Sequence, residues 1–152
     1  GTDELIARIF ESYNRIEQLA LKGKYGEIVV CDVGDIVEGF ANAADMQQAV
    51  TNDKSLMSQV DLGVSLVWDI CKRLARLAPV RYVSIASNHC QFRLNKQRVG
   101  KVGLDDWGVM IARQIHRLGA RRTGLAAGSV VFRSRFSGPP GFLAPLHASR
   151  LS

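Results

Sequence analysis

No acidic residue and no lysine occurs after Gly119 in this chain of 152 residues. Also missing is any run near the roughly 20 apolar residues that a membrane-spanning helix needs. The opening Gly1-Thr2-Asp3-Glu4 is polar and lacks the basic stretch feeding an apolar one that marks a secretory leader. A soluble cytoplasmic protein with no membrane partner is therefore expected. Cysteine is sparse: Cys31, Cys71 and Cys90 cannot all pair within the chain and show no C-x-x-C spacing. That argues against a disulfide framework or a zinc ribbon and for free thiols. A Gly-rich loop after the first strand candidate is lacking too, so a flavodoxin-like nucleotide module, which cradles phosphate there, ranks last.

What is present fits one domain. With 47% hydrophobic residues the chain can bury a core. The net charge of +6 suggests nucleic acid until its distribution is examined. Residues 1–118 carry fifteen Lys and Arg against fourteen Asp and Glu, and the remaining cations are Arg121, Arg122, Arg133, Arg135 and Arg150. The part that reads as folded is thus nearly neutral. Residues 119–152 form an atypical basic segment rich in Gly, Pro, Ser and Arg, in which only 129–132 resembles a strand.

Along the chain, Thr2 can cap a helix with Asp3 and Glu4 in its first turn and Leu5, Ile9, Tyr13, Ile16 and Ala20 down one face, before Gly23. Ile28-Val29-Val30-Cys31 is short, branched and apolar throughout, the pattern of a central strand covered on both faces. Residues 41–54 read as a long loop of the kind that borders active sites. A second helix is expected from about Ser55 to Ala78, with Leu56, Val60, Val64, Val67, Cys71 and Leu74 buried and Pro79 stopping it. A second strand, 80–86, leads into Ser87-Asn88-His89-Cys90. A basic loop then precedes a third helix that starts at Asp105-Asp106 and carries Trp107, Ile111, Ile115 and Leu118. This order predicts an α/β layered fold with neighbouring parallel strands flanked by helices.

In open α/β sheets, ligands collect beyond the carboxyl ends of the strands. Asp35, after Gly34, and Asn88-His89 both follow strands on that rim. A carboxylate at a glycine-hinged turn can bridge two divalent cations, an amide oxygen can add a neutral ligand, and an adjacent imidazole can face the substrate.

These residues resemble a known family. Gly34-Asp35-Ile36-Val37-Glu38-Gly39 is similar to the Gly-Asp block of calcineurin-like metallophosphoesterases, especially the phage and prophage form, and Ser87-Asn88-His89 is similar to their Gly-Asn-His block. The resemblance spans roughly residues 3–118. It implies that Asp35 bridges two metals, that Asn88 ligates one, and that His89 contacts the phosphate. It further implies a dinuclear site of manganese, iron or zinc that hydrolyses phosphomonoesters or phosphodiesters, with nucleic-acid processing among the roles of phage members. The family's Asp-x-His and Gly-His-x-His blocks are absent from these residues, Ser87 replaces the usual glycine, and Cys90 stands where many members have an acid. A non-catalytic member that retains the middle of the fold and acts by binding is the alternative.

Lesser candidates have plainer readings. Glu38 either supports the site indirectly or is solvated. Asp32 can stand in as a carboxylate but is better read as a strand-end acid hydrogen-bonded to backbone. Arg93, Lys96 and Arg98, with Lys101, could meet substrate phosphates or form a solvated basic loop. His116 suits a helix end, His147 lies in the atypical segment, and Cys90 lacks the oriented His and Asp partners of a thiol nucleophile.

Overall fold

Alternating helical stretches and short branched runs produce a parallel sheet in the computed structural model, which describes residues 1–37, 52–87, 89–94, 97–101, 105–121 and 131–132. The elements are α1 (Thr2–Ala20), β1 (Ile28–Asp32), α2 (Leu56–Leu74), β2 (Val80–Ser84), β3 (Arg93–Leu94), β4 (Gln97–Arg98), α3 (Trp107–Arg121) and β5 (Val131–Phe132). The first sheet has the order β1-β2-β5 with both pairings parallel, while β3 and β4 form an antiparallel hairpin. The chain is thus α/β. Of the basic segment after residue 119, β5 enters the sheet through Arg81 opposite Val131 and Tyr82 opposite Phe132.

Local chemistry explains the helix ends. Ser55 caps α2, its hydroxyl accepting the Ser58 N–H at 3.2 Å, and Lys72 and Arg73 sit in the last turn against the negative end of the helix dipole. On its inner face α2 buries Leu56, Val60, Gly63, Ile70, Cys71 and Leu74. A side chain at Gly63 would collide with Ile36 and Ile111, so the missing Cβ lets α2 sit against both the turn after β1 and α3. Val80 and Tyr82 from β2 and Ile111, Ala112 and Ile115 from α3 complete the core.

Two expectations are corrected. First, β1 is an edge strand of the described sheet, and it is covered on one face. Ile28 and Val30 pack on the core, whereas Val29, Cys31 and Val33 on the other side are exposed, as is Ile85 beyond β2. An all-apolar run shows that both faces avoid charge, but it does not say what covers them. Second, α1 is capped by Asp53 from the segment before α2. The Thr2 N–H donates to Asp53 Oδ2 at 2.8 Å, the Thr2 hydroxyl donates to Oδ1, and the residue at the cap position is Gly1.

The expected stripe on α1 is present yet loosely used. None of its residues is fully buried; Tyr13 and Ala20 touch the core, while Leu5 and Ile16 stay exposed. Arg73 holds α1 to α2 by donating to Asn14 Oδ1 at 2.7 Å, by pairing with Glu17 at 3.6 Å and by lying over the Phe10 ring, while Asp69 on its own helix accepts its Nε–H at 2.7 Å. Among the described residues no helix is long and apolar enough to cross a membrane.

Candidate active site at the carboxyl ends of two parallel strands

Parallel pairing puts the last residue of β1, Asp32, directly opposite the last residue of β2, Ser84. One Asp32 oxygen accepts the Gly34 N–H at 2.8 Å, which closes the turn after the strand. The other accepts the hydroxyls of Tyr82 and Ser84, both at 2.8 Å. Three donors therefore occupy this carboxylate, and its work is to lock the strand ends together. The backbone bond expected at Asp32 is there; the two cross-strand hydroxyls were not foreseen. Burial and the adjoining Asp32 charge push the Tyr82 hydroxyl well above the usual phenol range.

Beyond Asp32 the chain makes two consecutive left-handed residues, Gly34 with φ 97° and Asp35 with φ 60°. At Gly34 the glycine is required twice over. Its φ suits glycine, and an added Cβ would lie 2.6 Å from the Cβ of Ser87. The turn after β1 thus presses on the turn after β2. A second tie lies three residues on in each block, where the buried Cys90 Sγ donates to the Val37 carbonyl at 3.6 Å. Asp35 itself is exposed on this rim. A non-glycine residue in the left-handed region carries strain, and such strain gathers at functional turns.

The loop carrying His89 is fixed from the other side. The Ser87 hydroxyl accepts the Cys90 N–H at 3.2 Å, and the Cys90 carbonyl accepts the Trp107 N–H at 2.8 Å. The buried Asp106 accepts the Val109 N–H at 3.1 Å and so caps α3, which sharpens the start expected at Asp105-Asp106. Phe92 packs on Trp107 with ring centroids 4.2 Å apart. His89 is half-buried within this braced loop.

Cys90 is buried and turned to a backbone carbonyl, an environment that does not activate a thiol. Arg93 and Arg98 stand in register across the β3–β4 hairpin. His116 lies on the exposed side of α3, near its end. Asn88, Glu38, Lys96 and His147 lie outside the described residues, as do the side chains of Arg93 and Arg98. All three cysteines are free, as expected; burial pushes the Cys71 thiol up to about 12.

The N-terminal ends of α1 and α2 reach the same rim. Thr2, Asp53, Lys54 and Asp35 all border a cavity of about 550 Å³ between these helices. Hydrogen bonds from Thr2 hold the Asp53 carboxyl below its ordinary range. Sequence reading gave Asp53 only as a loop residue. Its role needed the fold, because its partner lies 51 positions away. Among the described residues no group of three or more His, Cys, Asp or Glu gathers as a metal cluster, and Asp35 is the exposed carboxylate at the junction of the two turns. Comparison of the chain with protein-family models, with curated proteins and with solved structures gives no match.

Proposed function

We propose that the chain is a metal-dependent phosphoesterase of the calcineurin-like kind. The observation that carries this reading is the contact of Gly34 with Ser87, which sets the Gly-Asp turn and the Ser-Asn-His turn side by side at the ends of adjacent parallel strands. Two turns that resemble two blocks of one active site have no reason to meet unless they share a site or a structural tie. The exposed Asp35 and the half-buried His89 favour the first.

In this reading the Asp35 carboxylate is a hard oxygen ligand for a divalent cation, with Asn88 beside it by resemblance. Manganese, iron or zinc bound there would polarise a phosphoryl oxygen. The chain's own residues do the rest. Gly34 and the strained turn fix where Asp35 points, the Asp32–Tyr82–Ser84 network fixes the spacing of the strand ends, and the His89 imidazole meets the phosphate or its leaving oxygen.

The test is metal content and turnover of bis-p-nitrophenyl phosphate with added manganese, for the native chain, Asp35→Asn and His89→Ala. Activity in the native chain that falls by about 10²-fold or more in both variants is expected. Equal background rates in all three would favour the alternative, a binding module on the same scaffold.

A further inference from the structure

The cavity beside Asp35 has two unlike kinds of lining. Asp35, Asp53 and Lys54 line it on the polar side, and Ile6, Ile9 and Tyr13 from α1 with Leu62 and Leu66 from α2 supply an apolar lining. Its volume, about 550 Å³, falls in the range of small-molecule sites. Whatever is held at Asp35 therefore has an apolar slot next to it.

We infer that this cavity is a substituent pocket that selects small phosphoesters bearing an apolar, aryl-sized group. This rests on the phosphoesterase reading for its chemistry, although the pocket itself can be probed without turnover. The substrate's phosphate sits at the Asp35 rim, and its organic group enters between α1 and α2. Tyr13, half-buried in the lining, supplies an aromatic side chain against which an aryl group can pack. A hydrophobic pocket discriminates by what it can enclose, and even one methylene is worth about 10-fold or more in kcat/KM.

The experiment compares phenyl phosphate with methyl phosphate in the presence of manganese. In parallel, binding of 4-fluorophenylphosphonate, a non-hydrolysable probe, is followed by ¹⁹F line broadening. Four proteins are needed: the native chain, Leu5→Trp, Leu66→Trp and Leu19→Trp. Leu5 lines the cavity yet is exposed on α1, so the larger ring is tolerated by the fold and blocks the slot. Leu66→Trp fills the same slot from α2, and Leu19, exposed elsewhere on α1, is the control.

A preference for the phenyl ester of about 10-fold or more is expected in the native chain and in Leu19→Trp, collapsing toward unity in the two cavity variants together with probe binding. Equal kcat/KM for the two esters, or a preference that neither cavity variant moves, would overturn the inference. If neither ester turns over, the phosphoesterase reading fails and the probe alone decides. Broadening that Leu5→Trp abolishes supports an apolar ligand pocket, and a probe that never broadens removes it.

Discussion

Gly34 lies against Ser87 so closely that a Cβ at position 34 would stand 2.6 Å from the Cβ of Ser87. Two separate costs follow for Gly34→Ala. One is the left-handed backbone at φ 97°, and the other is the collision, which nothing but movement of the neighbouring turn can relieve. Together they should destabilise the fold by about 2–4 kcal/mol. Ser87→Gly removes the atom struck, so the double variant should recover the collision part and keep the backbone part. A urea double-mutant cycle measures this. Strictly additive losses would mean that the turns do not press on one another.

Asp35 has φ 60°, where a carboxamide is tolerated and a branched side chain is not. Asp35→Asn should leave stability within about 0.5 kcal/mol, whereas Asp35→Val should lose about 1–2 kcal/mol. Asp35→Gly should equal or exceed the native chain in stability. If Asp35→Gly proved clearly less stable, the side chain would be supporting the fold, and its exposure on the rim would have another explanation. The series also separates fold from chemistry, since Asp35→Asn preserves the turn while removing the charge.

Much of the scaffold was legible in the residues. Ser55 before an apolar stripe marked the start of α2, and Pro79 marked where β2 could begin; both stand close to where local rules put them. Local rules see a side chain's own turn and face. They do not see register, and Asp32 shows the difference. Its bond to the Gly34 N–H is two residues away and could be expected, while its bonds to Tyr82 and Ser84 exist only because β1 and β2 pair in one particular register. The same limit hid the Asp53 cap on α1 and made β1 read as a covered strand. For the candidate site, the Gly-Asp turn and the Ser-Asn-His turn could be placed on one rim, but only the fold brought Gly34 into contact with Ser87.

Tyr82 is fully buried and donates to Asp32, so Tyr82→Phe leaves that carboxylate with one partner fewer in a partly dry place. A loss of about 1–3 kcal/mol is expected near neutral pH. The alkaline limb gives a second readout. A phenol or thiol whose folded value is raised is protonated in the folded state when the unfolded chain has already released its proton, so stability falls as pH rises. Cys71 rises from an ordinary 9.0 to about 12, which sets the onset near pH 9, and Tyr82 steepens the fall above its ordinary 10.0. Tyr82→Phe should lessen the steepening above about pH 10, to which Tyr13, also raised from 10.0 by burial, contributes the rest, and Cys71→Val should delay the onset. Urea midpoints across the alkaline range test both. An unchanged profile in Tyr82→Phe would show that the hydroxyl is not held as described.

The Thr2–Asp53 pair predicts the opposite limb. Thr2 donates both its N–H and its hydroxyl to the Asp53 carboxylate, which favours the ionised form and lowers its pKa from the ordinary 3.8. Stabilisation from the pair is therefore present above that value and fades as pH falls through the lowered one. The pair is exposed, so its effect is felt most where it caps, in the first turn of α1. Asp53→Ala should speed amide exchange in residues 2–5 near neutral pH, and the difference from the native chain should shrink as pH falls below the ordinary 3.8 and through the lowered value. Asp53→Asn keeps an acceptor for the Thr2 N–H but not the charge, so it should show a smaller effect with little pH dependence. Because Thr2 and Asp53 both border the cavity beside Asp35, a frayed α1 should also weaken binding of an aryl phosphonate there. Exchange rates in Asp53→Ala that match the native chain at every pH would separate α1 from the segment before α2 and leave that cavity wall without its anchor.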